Sequence, residues 1–156
     1  MADLHRVDGA RAPLFDRLVD HEPRQPTEPR PFRVLSREGL LDSVATEVER
    51  LLNTRCAFDR ETVAGRERTV LEYGLPDMAN YYSENQEDQQ SLCAVVRETI
   101  KAYEPRLKNV RVTVQTVDRR NQHLGLAIRG DLVIGRLLEP VSFPVDLTGL
   151  RDEGAR

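Results

Sequence analysis

The residues able to carry covalent or metal chemistry are few, and their spacing suits none of the usual sites. The three histidines, His5, His21 and His123, are scattered along the 156 residues, which is poor material for a metal centre or a nucleophilic triad. Cys56 and Cys93 stand 37 residues apart with no C-x-x-C pattern and no histidine at ligand spacing, so buried free thiols are expected rather than a disulfide framework or a zinc site. No Gly-rich phosphate loop occurs. Gly125, Gly130 and Gly135 stand five apart in strand-like sequence and read as bulges or bends. Twenty-six acidic residues make some carboxylate pair at the ~5 to 9.5 Å spacing of a glycosidase inevitable. None of them sits on an evident apolar wall, and there is no tryptophan to stack on a sugar. The sequence therefore predicts no catalytic residue, no metal and no cofactor.

What composition does not explain is the tripeptide Glu104-Pro105-Arg106. It follows an apolar stripe at helical spacing, so Glu104 falls at a helix C-terminus, where a carboxylate faces the negative end of the dipole at a cost of about 0.3 to 1 kcal/mol unless a cation neutralises it. Arg106 is placed to do so, and Pro105 fixes the turn between them. Such a pair is either an internal clamp or a charged knob offered to a partner. Physics alone favours the clamp, because ion pairs on open surface contribute little.

The elements that must hold this tripeptide can be read on either side of it. Ser36 can cap a helix announced by Leu40, Leu41, Val44, Val48, Leu51 and Leu52 and ending near Asn53. From Cys56 to Gly65 the chain reads as irregular, and Val70–Tyr73 as a short extended piece before the turn Gly74-Leu75-Pro76-Asp77. The run Ser83–Gln90 opens a second helix with stripe Leu92, Val95, Val96, Ile100 and Tyr103, stopped by Pro105. Beyond Asn109 the period becomes two: a strand over Val110, Val112 and Val114, a turn at Arg119-Arg120-Asn121, and a strand through Leu124, Leu126 and Ile128 that Gly130-Asp131 interrupts before Leu132–Ile134. A last strand spans Leu137–Leu147, demoted to an edge or bulged strand by Pro140 and Pro144. Helices followed by sequential strands predict an α+β domain over residues 36–148, two main helices on a small, mainly antiparallel sheet of three to four strands.

Residues 1–35 hold five of the nine prolines and read as a proline-rich arm. Within it Leu14, Phe15 and Leu18 mark one face of a short amphipathic helix after Pro13, able to fold back or to dock on a partner. Residues 149–156 read as a disordered tail. Apolar residues make up 39% of the chain and charged residues 31%, against the usual ~45 to 50% and ~25%. No apolar run approaches the roughly 20 residues of a bilayer span, and the first residues, Met1-Ala2-Asp3-Leu4-His5-Arg6, lack the pattern of a secretory signal. The cytoplasm is the expected compartment. Net charge is −3. Acids and bases number six and six over residues 1–36, fourteen and ten over 37–108, and six and seven over 109–156. No segment is a basic footprint for nucleic acid. Of the 23 basic residues 21 are arginine.

Two further pieces, taken with the stretch around that tripeptide, form an ordered set. Leu51-Leu52-Asn53-Thr54-Arg55, Tyr73-Gly74-Leu75-Pro76-Asp77 and Tyr103-Glu104-Pro105-Arg106-Leu107-Lys108-Asn109-Val110 resemble the TssE family, the baseplate wedge subunits of bacterial type VI secretion systems. Pro13-Leu14-Phe15-Asp16-Arg17-Leu18 and Pro140-Val141-Ser142-Phe143 are similar to that family's leader and closing strand. The resemblance departs at Cys56-Ala57, where basic or glycine residues are usual, and in the two prolines of the last strand. It implies a structural, non-enzymatic protein with the fold of phage-tail wedge proteins labelled "lysozyme-like". It also implies partners TssF, TssG and TssK in the wedge and the sheath subunits TssB and TssC, at a baseplate docked on the cytoplasmic face of the inner membrane, without membrane insertion or nucleic acid. On that resemblance Glu104, Pro105 and Arg106 would lock the subunit into its wedge, and the sheet would attach and nucleate the sheath by strand pairing. Exchange of Arg106 for Glu would then abolish incorporation while the domain stays folded. Two other classes fit the same elements less well: a peptidoglycan hydrolase, and a small anti-adaptor-type regulator, which would not need the proline-rich leader and the Glu-Pro-Arg turn together.

Overall fold

A computed structural model describes residues 10–11, 23–24, 34–76, 86–118 and 123–147. Strand β1 (Ala10–Arg11) pairs antiparallel with β2 (Val34–Leu35), which leads directly into helix α1 (Arg37–Leu52). A single helical turn α2 (Arg60–Val63) and a 3-10 turn (Val70–Glu72) lie between α1 and the second long helix, α3 (Gln86–Tyr103). The chain then forms three strands in succession, β3 (Leu107–Asp118), β4 (His123–Ile134) and β5 (Leu137–Leu147), as an antiparallel sheet in the order β3-β4-β5. This is the α+β arrangement that the periodicities predict.

Helix α1 begins where its cap dictates: the Ser36 hydroxyl accepts a hydrogen bond from Gly39 N–H at 3.2 Å. Its stripe Leu40, Val44, Val48 and Leu52 and the α3 stripe Leu92, Val95, Val96 and Ile100 are buried. They meet the inner face of the sheet, supplied by Leu107, Leu124, Leu126, Ile128, Leu132, Phe143, Val145 and Leu147, in one continuous core. Two polar links fix α1 to β5. Arg37 pairs with Glu139 at one end, and the Asn53 side-chain amide donates to the Asp146 carbonyl at 3.0 Å at the other.

Several local expectations are corrected. Val70–Glu72 is not extended but a 3-10 turn, because Thr69 and Glu72 form a reciprocal capping box in which the Glu72 carboxylate accepts from Thr69 N–H at 2.7 Å. The stretch after Cys56 is not wholly irregular: Asp59 caps α2, its carboxylate accepting from Thr62 N–H at 2.7 Å. Gly130-Asp131 does not interrupt β4, which pairs with β5 without a break from Leu124↔Leu147 to Ile134↔Leu137. The irregularity lies in β3 instead. Its register against β4 shifts between Lys108 and Arg111 and again between Val114 and Thr116, so β3 carries an extra residue at each place. Asn109 sits at φ 51° in the first bulge, and opposite it Gly130 must lack a side chain, since a Cβ there would stand 2.8 Å from the Lys108 carbonyl oxygen. Gly135, at φ 61°, belongs to the tight turn between β4 and β5 rather than to a strand. The segment with Leu14, Phe15 and Leu18, the turn 119–121, residues 83–85 and the tail 149–156 lie outside the described residues.

Candidate functional site

The Glu104-Pro105-Arg106 turn stands where four elements meet. Helix α3 closes with Glu104 N–H donating to the Ile100 carbonyl at 2.8 Å, and the proline that follows prevents another turn. The chain reverses inward, and Leu107 N–H donates to the Glu104 carbonyl at 3.2 Å as β3 begins. Glu104 is thereby buried, its side chain 5% exposed, and Arg106 lies over it with 23% exposed. The guanidinium binds the carboxylate in the bidentate manner, Nε to Oε1 at 2.7 Å and Nη2 to Oε2 at 2.6 Å. Arg106 N–H adds a third bond to Oε1 at 3.1 Å. The remaining guanidinium nitrogen, Nη1, reaches across to the Ser43 hydroxyl of α1 at 3.1 Å, and the Arg106 carbonyl accepts from Val133 N–H of β4 at 2.8 Å.

This geometry is that of the internal clamp. One arginine ties the end of α3, the start of β3, the far end of β4 and the middle of α1, while Pro105 is turned outward and exposed. Glu104 is the buried carboxylate among the described residues, and its oxygens accept from the guanidinium and a backbone N–H. Among the described residues no three side chains of the metal-ligating types come together, and no helix is long and apolar enough to cross a membrane. Cys56 is buried and Cys93 half-buried, both free, and burial pushes the Cys93 thiol up.

Two groups escaped the reading of the sequence. Ser43 flanks the α1 stripe as an unremarkable polar residue, and only the approach of α1 to the turn makes it a second partner of the guanidinium, after Glu104. Thr99 lies inside the α3 stripe fully buried, its hydroxyl accepting from Arg68 Nη1 at 2.8 Å; a polar residue at a core-facing position was the available signal. This bond helps to hold the loop before the 3-10 turn. The Tyr103 hydroxyl also donates to the Thr69 carbonyl at 2.7 Å, and its ring meets Tyr73 edge-on with centroids 5.2 Å apart.

Among the described residues no further strand pairs with β3 or β5, and the outer edges of the two strands differ in what they offer. A proline has no N–H for the ladder, so within a paired strand it faces away from its neighbour. Pro140 and Pro144 share one parity in β5, paired across to Asp131 and Ala127, and therefore strip two donors from the outward edge. Strand β3 holds no proline, and between its bulges the regular stretch Arg111–Val114 pairs with Arg129–Leu126.

A family model described as baseplate wedge protein gp25 matches residues 38–135, from the first turn of α1 to the β4–β5 turn. Among solved structures the chain is similar to a component of the baseplate complex from the type VI secretion system, at 22% identity over 72% of this chain and 97% of that one, with a TM-score of 0.51. It is also similar, at 17% identity over 75% of this chain and 97% of that one and a TM-score of 0.46, to a protein from Geobacter sulfurreducens named as a tail lysozyme. No curated protein matches. The first of these likenesses shows a shared fold; the second is too distant to bear on function.

Proposed function

The chain belongs to the family of baseplate wedge protein gp25, and on that footing we propose that it is a wedge subunit of a type VI secretion baseplate, acting in the cytoplasm and turning over no substrate. Its role in the baseplate is structural. The observation that carries the finer reading is the family match itself, which runs through both long helices, the clamp and two of the three strands. The fold shared with a component of a type VI baseplate agrees with it.

In this reading the subunit meets TssF, TssG and TssK in the wedge and offers its sheet to TssB and TssC of the sheath. Glu104 and Arg106 act first on the subunit itself, stiffening the junction of helices and sheet so that Pro105 and the outer rim of Arg106 form a fixed contact surface. Leu14, Phe15 and Leu18 provide a second contact from the arm. Sheath nucleation proceeds by strand addition, for which the proline-free stretch Arg111–Val114 is better suited than β5.

The test is proline scanning at Arg111, Val112 and Thr113 against Ser142 in β5, read by fluorescent sheath assembly in cells and by melting of the purified chain. Positions of β3 whose N–H faces away from β4 should keep the melting temperature and lose sheath nucleation, while Ser142→Pro should leave nucleation intact. Normal sheath assembly in every variant, together with failure of the wild-type chain to purify with TssF and TssG, sinks the proposal.

A further inference from the structure

Val70 and Leu71 are adjacent exposed aliphatic side chains, at 86% and 70%, comparable among the described residues only with Leu137 at 72% in the β4–β5 turn region, yet the turn that displays them is held by several hydrogen bonds. The capping box closes it from both sides, Tyr103 bonds to Thr69 and Arg68 to Thr99. Behind it, Leu75 N–H donates to the Thr54 carbonyl at 2.8 Å, and Cys56 N–H donates to the Leu75 carbonyl at 2.7 Å. Gly74, at φ 105°, lets the chain pass so near Thr54 that a Cβ would lie 2.4 Å from its carbonyl oxygen. None of these constraints brings Val70 or Leu71 into the core. A rigid turn holding two adjacent aliphatic side chains in water offers a partner apolar surface whose ordering cost is already met.

Immediately before this turn the chain borders an open cleft of about 560 Å³ between the segment 60–68 and α3. Its rim carries Arg60, Arg66, Arg68 and Lys101 against Glu67 and Glu98, a local excess of two positive charges on a chain whose net charge is −3. Val63 and Val95 supply apolar wall. Knob and cleft are continuous through Arg68 and Thr69. A second copy bound through the same face would set cations against cations, which disfavours a symmetric dimer there.

We propose that Val70–Leu71 and the adjoining basic cleft form a docking surface for an acidic amphipathic segment of another protein chain in the assembly, whose apolar side covers the two aliphatic residues and whose carboxylates enter the cleft. This rests on the chain being an assembly subunit, but uses neither the Glu-Pro-Arg turn nor a strand edge.

The experiment replaces Leu71 with the photo-crosslinking residue p-benzoylphenylalanine in cells holding the complete secretion system, and identifies the crosslinked peptide by mass spectrometry. The expected product joins residue 71 to a peptide of a different chain bearing both an apolar run and several carboxylates. With the crosslinker at Glu67 instead, the otherwise wild-type chain should join residue 67 to the same partner segment, and V70S/L71S, and separately R66E/K101E, should each lower that yield at least tenfold with unchanged melting, since these side chains lie at the surface. Crosslinks to another copy, to this chain's own residues or to a peptide without carboxylates would overturn the proposal. So would the absence of any crosslink, or variants that crosslink as the wild type does. If the wild-type chain is missing from purified baseplates, the wedge reading fails; if it is present while position 71 crosslinks to nothing, only the docking surface fails.

Discussion

Replacing Arg106 with Met keeps the aliphatic stem over Glu104 and removes the guanidinium, which makes it a direct measure of the clamp. Three side-chain hydrogen bonds are lost, two to Glu104 and one to Ser43, and a carboxylate only 5% exposed is left without its counter-ion. Breaking a buried pair by removing one partner costs about 3 to 5 kcal/mol. Because the Arg106 side chain is 23% exposed, water can reach the vacated site, and the loss should fall near ~2 to 3 kcal/mol. For a domain of this size that corresponds to a fall of roughly 8 to 12 °C in melting temperature. Thermal melts followed by far-UV circular dichroism, with a urea titration to check that the m-value is unchanged, would read it. The double variant E104M/R106M removes both charges and should recover at least half of the loss, since an apolar pair of similar volume is tolerated where a lone charge is not. An Arg106→Met protein melting within about 2 °C of wild type would refute the clamp and return the pair to the role of a knob for partners. The same reasoning revises the outlook for Arg106→Glu: two carboxylates would share one buried corner, so loss of wedge incorporation should come with a less stable domain.

Further predictions concern the sheet and its surroundings. Gly130→Ala should lower stability by about 1 to 3 kcal/mol, because its Cβ meets the Lys108 carbonyl oxygen at 2.8 Å and the Leu107 side chain at 3.1 Å. Gly135→Ala, with open space around it and only its φ of 61° to oppose it, should cost about 1 kcal/mol; equal losses in urea denaturation would contradict this assignment. The hydroxyl and N–H of Thr69 hold the Glu72 carboxyl below its ordinary range, Thr62 does the same for Asp59, and Arg37 for Glu139. A carboxyl whose folded pKa is depressed contributes stability that is full above its unfolded value near 4 to 4.5 and is lost as pH falls through the lower folded value. Stability should therefore decline in acid below about pH 4.5, and T69A/E72Q should flatten that decline in denaturation measured from pH 6 to pH 3. An unchanged acid slope in that variant would remove Glu72 from the account.

Much of this architecture is legible because burial and periodicity agree. The 3- and 4-residue spacings of α1 and α3 and the alternation from Val110 to Val114 each report a single buried face, and Ser36 and Pro105 mark where helices start and stop. The errors arise where a local bond outweighs pattern. Val70-Leu71-Glu72-Tyr73 has the composition of a strand, but Thr69 and Glu72 close a capping box that spacing alone does not reveal. Glycine at 130 suggests a break in its own strand, whereas the disruption belongs to the strand opposite, because the missing side chain makes room for a neighbour's bulge. The charge balance within the tripeptide is visible in sequence. The guanidinium's second partner, Ser43, is not, since a contact between residues 63 positions apart depends on how two helices are laid across the sheet.

Strands β4 and β5 are joined rung by rung over their whole length, from Leu124↔Leu147 to Ile134↔Leu137. That ladder gives the molecule a direction of toughness. Tension drawn along the strands loads every rung at once, whereas a pull across them opens the rungs one after another, as a zip does. Under load the pair would therefore resist a pull along its strands far better than one that peels β5 away from β4.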